Sequence, residues 1–369
     1  MDYSLPCLIH LSMIPSLGSH RIRKLVGHFR EQDRLYKASL SELRRVPGFE
    51  EALARQLHDG LRNEKLKQKS DKQIELLEKY GASILTFRDD GYPENLRNIY
   101  NPPLLLYVIG SLLPGDTQSV AVVGSRTMSD YGRIAAENLA RDLAVSGITV
   151  VSGMASGIDS CAHWGAVKTG GRTIAVLGSG VDVVYPSENL SLYKAIRENG
   201  ALISEFAFAT KPARGNFPAR NRIISGISLG TVIVEAGKKS GALITAAAAL
   251  EQNREVFALP GNINNKRSEG TNRLIRDGAA KLIMDAKDII DELKPQLRGI
   301  ALQKEDEAPP VQLTEEETPV YDSIGYEPVT GDFIAEKSSS PPSKIASPLL
   351  LLELKGLIRR LPGNKYVRI

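Results

Sequence analysis

Val120-Ala121-Val122-Val123-Gly124-Ser125-Arg126 is a short apolar run that empties into a glycine, a hydroxyl and a cation. The same grammar recurs through the middle of the chain. Ile148-Thr149-Val150-Val151 leads into Ser152-Gly153-Met154-Ala155-Ser156-Gly157, Thr173-Ile174-Ala175-Val176-Leu177 into Gly178-Ser179-Gly180, and Ala201-Leu202-Ile203 into Ser204-Glu205-Phe206. Thr231-Val232-Ile233-Val234 leads into Glu235-Ala236-Gly237-Lys238-Lys239-Ser240-Gly241, and Val256-Phe257-Ala258-Leu259 into Pro260-Gly261-Asn262. Near-continuous Val/Ile/Leu runs mark strands buried on both faces, and the helical stretches between them supply the crossovers that parallel pairing needs. The expected fold class is α/β, a doubly wound central domain. Ligands of such sheets bind beyond the carboxyl ends of the strands. Here those ends are the Gly- and Ser-bearing loops, whose backbone N–H groups can meet a ligand's charge.

Outward from this block the chain changes character. Its 369 residues are enough for two to four domains. Residues 5 to 60 read as helices with turns at Ile14-Pro15-Ser16-Leu17-Gly18 and Val46-Pro47-Gly48-Phe49. They resemble paired helix-hairpin-helix elements, in which a Gly turn lets backbone N–H groups approach a phosphate; a plain helical bundle joined by Pro-Gly turns reads equally well. A charged helix over 62 to 79 and a strand at Ile84-Leu85-Thr86-Phe87 follow. The Pro-rich stretch from Tyr92 to Val108 reads as a wrapped connector. On the other side, 295 to 312 is polar and irregular, a linker. The tail offers Thr314 with Glu317 as a capping box, three short helices, and a close that turns at Pro362-Gly363-Asn364 like a hairpin. That is the pattern of a winged helix, with Pro348 set to kink its third helix. The expected organisation is a helical domain over 1–80, the α/β domain over 81–294, the linker over 295–312 and the winged helix over 313–369.

Composition narrows the function classes. Hydrophobic content of 42% with 24% charged residues is that of a folded chain, and a net charge of +4 permits an acidic partner without demanding one. Cys7 and Cys161 lie far apart, so neither zinc spacing nor a redox pair is present, and a reducing cytosol is the expected setting. No apolar run approaches a membrane span, and a cytoplasmic protein is expected. Charge is concentrated at Pro212-Ala213-Arg214-Gly215-Asn216-Phe217-Pro218-Ala219-Arg220-Asn221-Arg222, with three arginines, one aromatic ring and no acid. It reads as a binding loop, since arginines neutralise phosphates and a base stacks on a ring, or else as a solvated basic loop capping a helix.

Enzyme signatures fail. A P-loop would need Gly at Val232 and Ser or Thr at Lys239, and a dinucleotide fingerprint would need Gly at Val183. His163, Asp159 and Cys161 crowd one short helix and read as packing and capping residues. Glu205 and Glu235, both at strand ends, read either as an acid/base pair or as anchors for neighbouring arginines.

The blocks Gly124-Ser125-Arg126, Ser152 to Asp159, Ala175 to Gly180 with Tyr185-Pro186, Phe217-Pro218-Ala219-Arg220-Asn221-Arg222, Val234-Glu235-Ala236 and Phe257 to Gly261 resemble the DNA processing protein A family, DprA or Smf. The resemblance implies an extended Rossmann-like domain between an N-terminal helical, SAM-like domain and a winged helix. It implies a non-enzymatic recombination mediator, without metal or cofactor, that binds and protects single-stranded DNA and loads the RecA recombinase in natural transformation. The implied partners are single-stranded DNA, RecA, a second copy through the Rossmann-like domain, and single-strand-binding protein. The implied contacts are Ser125, Arg126, Gly153, Ser156, Arg214, Phe217, Arg220, Asn221, Arg222, Lys238 and Lys239. Of these, Arg126 would hold phosphate and Phe217 would stack on a base. The alternative class is a Rossmann-like nucleotide sensor or nucleoside-phosphate hydrolase, for which Gly230-Thr231 with Glu235 speaks.

Overall fold

A computed structural model describes residues 3–297 and 313–368. The expected linker falls mostly on 298–312, outside the described residues. The chain forms two compact units, Met1–Thr127 with Ala136–Ile300, and Met128–Ala135 with Ala301–Ile369. No helix among the described residues is long and apolar enough to cross a membrane.

The first unit begins with helices α1 (Leu5–Met13), α2 (Ser19–Phe29), α3 (Gln32–Lys37), α4 (Leu40–Leu43), α5 (Glu51–Leu61) and α6 (Glu64–Tyr80). The two Pro-containing turns fall between α1 and α2 and between α4 and α5, with Gly48 taking the second at a φ of +87°. Ile9, Leu11, Leu25, Leu35, Leu43 and Leu57 close a helical core that also takes in Leu104 and Leu105. β1 (Ala82–Thr86), α7 (Glu94–Arg97) and β2 (Leu105–Gly110) follow. The stretch read as a connector therefore ends in a buried strand: after Pro102-Pro103 the run Leu104 to Ile109 has no further ring to interrupt a ladder, and its prolines only delay the strand.

The alternating block continues as β3 (Ser119–Val123), α8 (Asp130–Val145), β4 (Thr149–Ser152), α9 (Ile158–Val167), β5 (Thr173–Val176), α10 (Leu190–Asn199) and β6 (Gly200–Ser204). It ends as α11 (Asn216–Ile227), β7 (Gly230–Ile233), α12 (Ala242–Glu251), β8 (Glu255–Ala258), α13 (Glu269–Arg276), β9 (Lys281–Leu282) and α14 (Ala286–Leu293). The nine strands form one sheet in the order β1-β2-β6-β5-β4-β3-β7-β8-β9. From β6 to β9 every pairing is parallel, as the apolar runs require; β1 and β2 extend the edge antiparallel. Strand order reverses between β3 and β7, which is where a doubly wound sheet opens its crevice.

The second unit holds α15 (Glu317–Ser323), α16 (Gly331–Lys337) and α17 (Pro342–Leu354), with β10 (Val329–Thr330), β11 (Ile358–Leu361) and β12 (Lys365–Arg368) paired in the order β10-β12-β11. This is the expected winged helix. The capping box is present: Thr314 N–H donates to Glu317 Oε2 at 2.8 Å and Glu317 N–H donates to Thr314 Oγ1 at 3.3 Å. Pro348 sits buried inside α17, where its missing N–H leaves one helical bond unmade.

Candidate nucleic-acid interface

The crevice between the ends of β3 and β7 is a cleft of about 670 Å³. Its rim carries Arg126, Arg214, Lys238, Lys239, Lys266 and Arg267, all exposed, from four separate loops. The acid lining it is Asp159, which is buried. The first turns of α11 and α12 also open here, adding the partial positive charge of their helix dipoles.

Local structure explains why the loops hold this shape. Ser125 N–H donates to Glu235 O at 2.8 Å, joining the two strand ends across the switch point. The Ser125 hydroxyl accepts from Thr127 N–H at 3.1 Å and donates to Thr127 O at 2.9 Å, so it shapes its own turn. Gly157, at a φ of +84°, approaches so closely that a Cβ there would lie 2.4 Å from Ser125 O. Gly153 is equally constrained, since its Cβ would meet the Arg220 guanidinium at 2.3 Å. Ser156 donates to Glu188 Oε1 at 3.0 Å.

The stretch read as one binding loop is only half a loop. α11 begins at Asn216, with Asn216 Nδ2 donating to Gly178 O at 3.1 Å, and this splits the segment by helical geometry. Positions 220, 223, 224 and 227 lie on the face turned inward, while Arg214 and Pro218 stay exposed. Phe217, half-buried, has the Arg126 guanidinium over its ring at 4.8 Å and the Tyr185 ring 5.8 Å away at a 33° tilt.

Arg220, Asn221 and Arg222 therefore differ from the expected wall of free contacts. Arg220 is only 4% exposed and donates to Gly153 O and Val176 O, each at 2.5 Å. Burial lowers its pKa to about 10, against the pull of Asp159, so it remains a cation at neutral pH. Burial raises the Asp159 carboxyl, opposed by Arg220 and by backbone N–H groups that include Gly153. Asn221 accepts from Arg220 Nε at 3.2 Å and donates to Gly241 O at 3.4 Å, tying α11 to the turn before α12. Arg222 is ion-paired with Glu205 and donates to Asn101 O at 2.5 Å. Burial raises the Glu205 carboxyl and Arg222 opposes it, so of the two readings of Glu205 the anchor is the one formed. These three side chains brace the cleft through the bonds they make inside the protein.

Lys238 faces Glu269 at a loose 4.0 Å, both exposed. Lys266 and Arg267 escaped the sequence reading, although a basic pair soon after Pro260-Gly261-Asn262 follows the same strand-end rule as the others. Arg267 Nε donates to Thr127 O at 3.2 Å, which holds that loop against the one after β3. His163, Asp159 and Cys161 do not converge as a nucleophile and base. His163 Nδ1 pairs with Thr173 Oγ1 at 2.7 Å, and Asp159 accepts from Gly153 N–H at 3.2 Å. Burial with a nearby Arg220 drives the His163 pKa down to about 3, so it is a neutral packing residue.

Residues 83–294 match the family model of DNA recombination-mediator protein A, and residues 304–364 that of the DprA winged helix domain. Protein Smf of Escherichia coli K12 is 39% identical over 297 residues, 79% of each chain. Protein Smf of Synechocystis is 32% identical over 97% of each chain. The solved structure of DNA processing protein A from Streptococcus pneumoniae aligns over 79% of this chain and 99% of its own, with a TM-score of 0.65 and 34% identity. The one from Helicobacter pylori, described for its single-stranded DNA binding mode, aligns over 59% of this chain and 97% of its own, with a TM-score of 0.53 and 32% identity. With the central domain and the tail both matched and the relatives aligned over most of the chain, it belongs to the DNA recombination-mediator protein A family, DprA or Smf.

Proposed function

We propose that this protein binds single-stranded DNA in the β3–β7 cleft, protects it, and loads RecA recombinase onto it in natural transformation. The observation that carries the binding step is an arginine–aromatic pair, Arg126 and Phe217, with five further exposed cations around it. In this reading Arg126, Arg214, Lys238, Lys239, Lys266 and Arg267 neutralise phosphates, and Phe217 offers a face to a base. Gly153 and Ser125 shape the loops, and the Ser156 hydroxyl stays with Glu188. Arg126 must leave the Phe217 ring for a base to arrive. An exposed cation–π contact is worth about 0.5–1 kcal/mol and a stacked base about 1–3 kcal/mol. The exchange is favourable before the phosphate contact is counted. RecA loading, single-strand-binding protein as a partner, a homodimer through the Rossmann-like unit and a cytoplasmic site are supported by family membership alone.

Titrating a fluorescent oligothymidylate across a salt series tests the binding step. Phe217→Ala lowers affinity by about tenfold with an unchanged salt slope, as one lost stacking contact should. Arg126→Ala makes the logarithmic slope shallower by about 0.7, as one lost phosphate contact on a single strand should. Phe217→Ala binding as tightly as the unaltered protein would remove stacking from the reading.

A further inference from the structure

Two hollows flank the Arg126–Phe217 pair, and they differ in size and in the number of exposed cations. The larger is the cationic cleft, with Lys238, Lys239 and Arg267. The smaller, about 30 Å³, is lined by Ser156, Gly178, Ser179 and Tyr185 as well as by the pair itself. It also takes in Arg220, whose guanidinium donates to Gly153 O and Val176 O, so its exposed cation is Arg126 alone. The larger cleft adds Lys238, Lys239, Lys266 and Arg267, and a phosphate finds most of its counter-charge there.

The two aromatic rings differ as well. Phe217 already carries Arg126 over its ring, and it packs so closely on β5's loop that a Cβ at Gly178 would lie 2.9 Å from its Cδ1. Tyr185 is 41% exposed. The 5.8 Å between the ring centroids excludes a base between them, because a sandwiched base needs about 7 Å, twice the contact distance of carbon atoms. A base meeting Tyr185 must therefore lie on its outer face. The hollow beside it is too small to enclose a base and admits only an edge.

We propose that Tyr185 is a second stacking platform. It takes the nucleobase adjacent to the one at Phe217, with that base's edge over the Ser156–Ser179 hollow and the sugar-phosphate backbone kept on the Lys238–Lys239–Arg267 side. This deepens the single-strand reading above and rests on it. The strand then has a defined orientation across the cleft: bases toward β5, phosphates toward β7 and β8.

The test uses full-length protein, a fluorescein-labelled oligothymidylate across a salt series, and an oligonucleotide carrying 2-aminopurine, whose emission is quenched by stacking. Tyr185→Ala and Tyr185→Leu both weaken binding by about fivefold or more, the lower end for one stacked base, with the salt slope unchanged. Tyr185→Phe retains the affinity. One 2-aminopurine position loses its quenching in Tyr185→Leu but keeps it in Tyr185→Phe. If the unaltered protein binds and Tyr185→Leu binds within about twofold of it with the same quenching, the platform is wrong while the single-strand reading stands. A shallower salt slope for Tyr185→Leu also overturns it, because a base platform carries no phosphate. An unaltered protein that does not bind the oligonucleotide overturns both.

Discussion

The cleft and the third helix of the winged helix are two places where this fold could meet a nucleic acid, and they are built from opposite materials. The cleft draws exposed cations from four loops and leaves helix starts open between them. α17, at the position a winged helix offers to a DNA groove, has Lys344 and Glu353 as its charges and exposes Leu350, Leu351 and Leu354, the last 75% accessible. Such a face cannot release counterions from a phosphate backbone. A motif's fold indicates where a ligand could go, and only the side chains decide whether it does.

The largest effect expected from this contrast falls inside the cleft. Arg220 and Arg214 are six residues apart in one segment, yet the first is a strut and the second is exposed. Arg220→Met leaves Asp159 buried without its cation and strips Gly153 O and Val176 O of a donor. Leaving buried carbonyls without their donor costs about 1–3 kcal/mol for each. Arg214→Ala, a surface change, stays within about 0.5 kcal/mol. Urea unfolding of both variants checks this, and a loss below about 1 kcal/mol for Arg220→Met would return Arg220 to the list of free contacts.

A charge reversal on each side addresses the comparison directly. Lys239→Glu replaces an attraction by a repulsion on the cleft rim, so single-strand affinity falls by about tenfold or more at low salt and the salt slope becomes shallower. Lys344→Glu on α17 leaves affinity within about twofold. Equal losses in the two variants, measured by the same anisotropy titration, would mean that the winged helix carries phosphate contacts after all.

Legibility followed the same divide. The sheet could be read because strands buried on both faces have no polar alternation to obscure them, and Val120 to Arg126 already announces both a strand and the loop at its end. β2 was hidden by Pro102-Pro103, and β9 by having only Lys281 and Leu282. In the cleft, chemistry identified the segment but not the direction of each side chain. Arg214, Arg220 and Arg222 are equivalent as letters, and only the start of α11 at Asn216 divides them into exposed cation and buried struts. Lys266, Arg267 and Tyr185 were missed because each enters through a loop whose neighbours in space come from other strands.

The smallest expected effect is a difference in acid response, and it follows from two of the buried acids, Glu317 and Asp159. Glu317 in the winged helix accepts from Lys355 Nζ at 2.5 Å and from Thr314 N–H at 2.8 Å. The Lys355 bond first, then the Thr314 N–H, holds its carboxyl below the ordinary value of 4.5. A depressed carboxyl stabilises the fold above its unfolded pKa and loses that contribution as pH falls through the folded one. Asp159 under the cleft is shifted the other way, by burial. Its penalty is greatest once pH exceeds the folded value and eases on acidification, so lowering the pH takes nothing from it. Between about pH 5 and about pH 3, α15 and α17 should therefore lose protection before α9 does. Hydrogen exchange by mass spectrometry, corrected for the intrinsic pH dependence of exchange, reads this order helix by helix. Glu317→Gln should remove most of the acid sensitivity of α15 and α17 and leave α9 unchanged. If α9 opens first, the surroundings of Asp159 are the more acid-labile of the two, and the cleft is held together by something other than its buried strut.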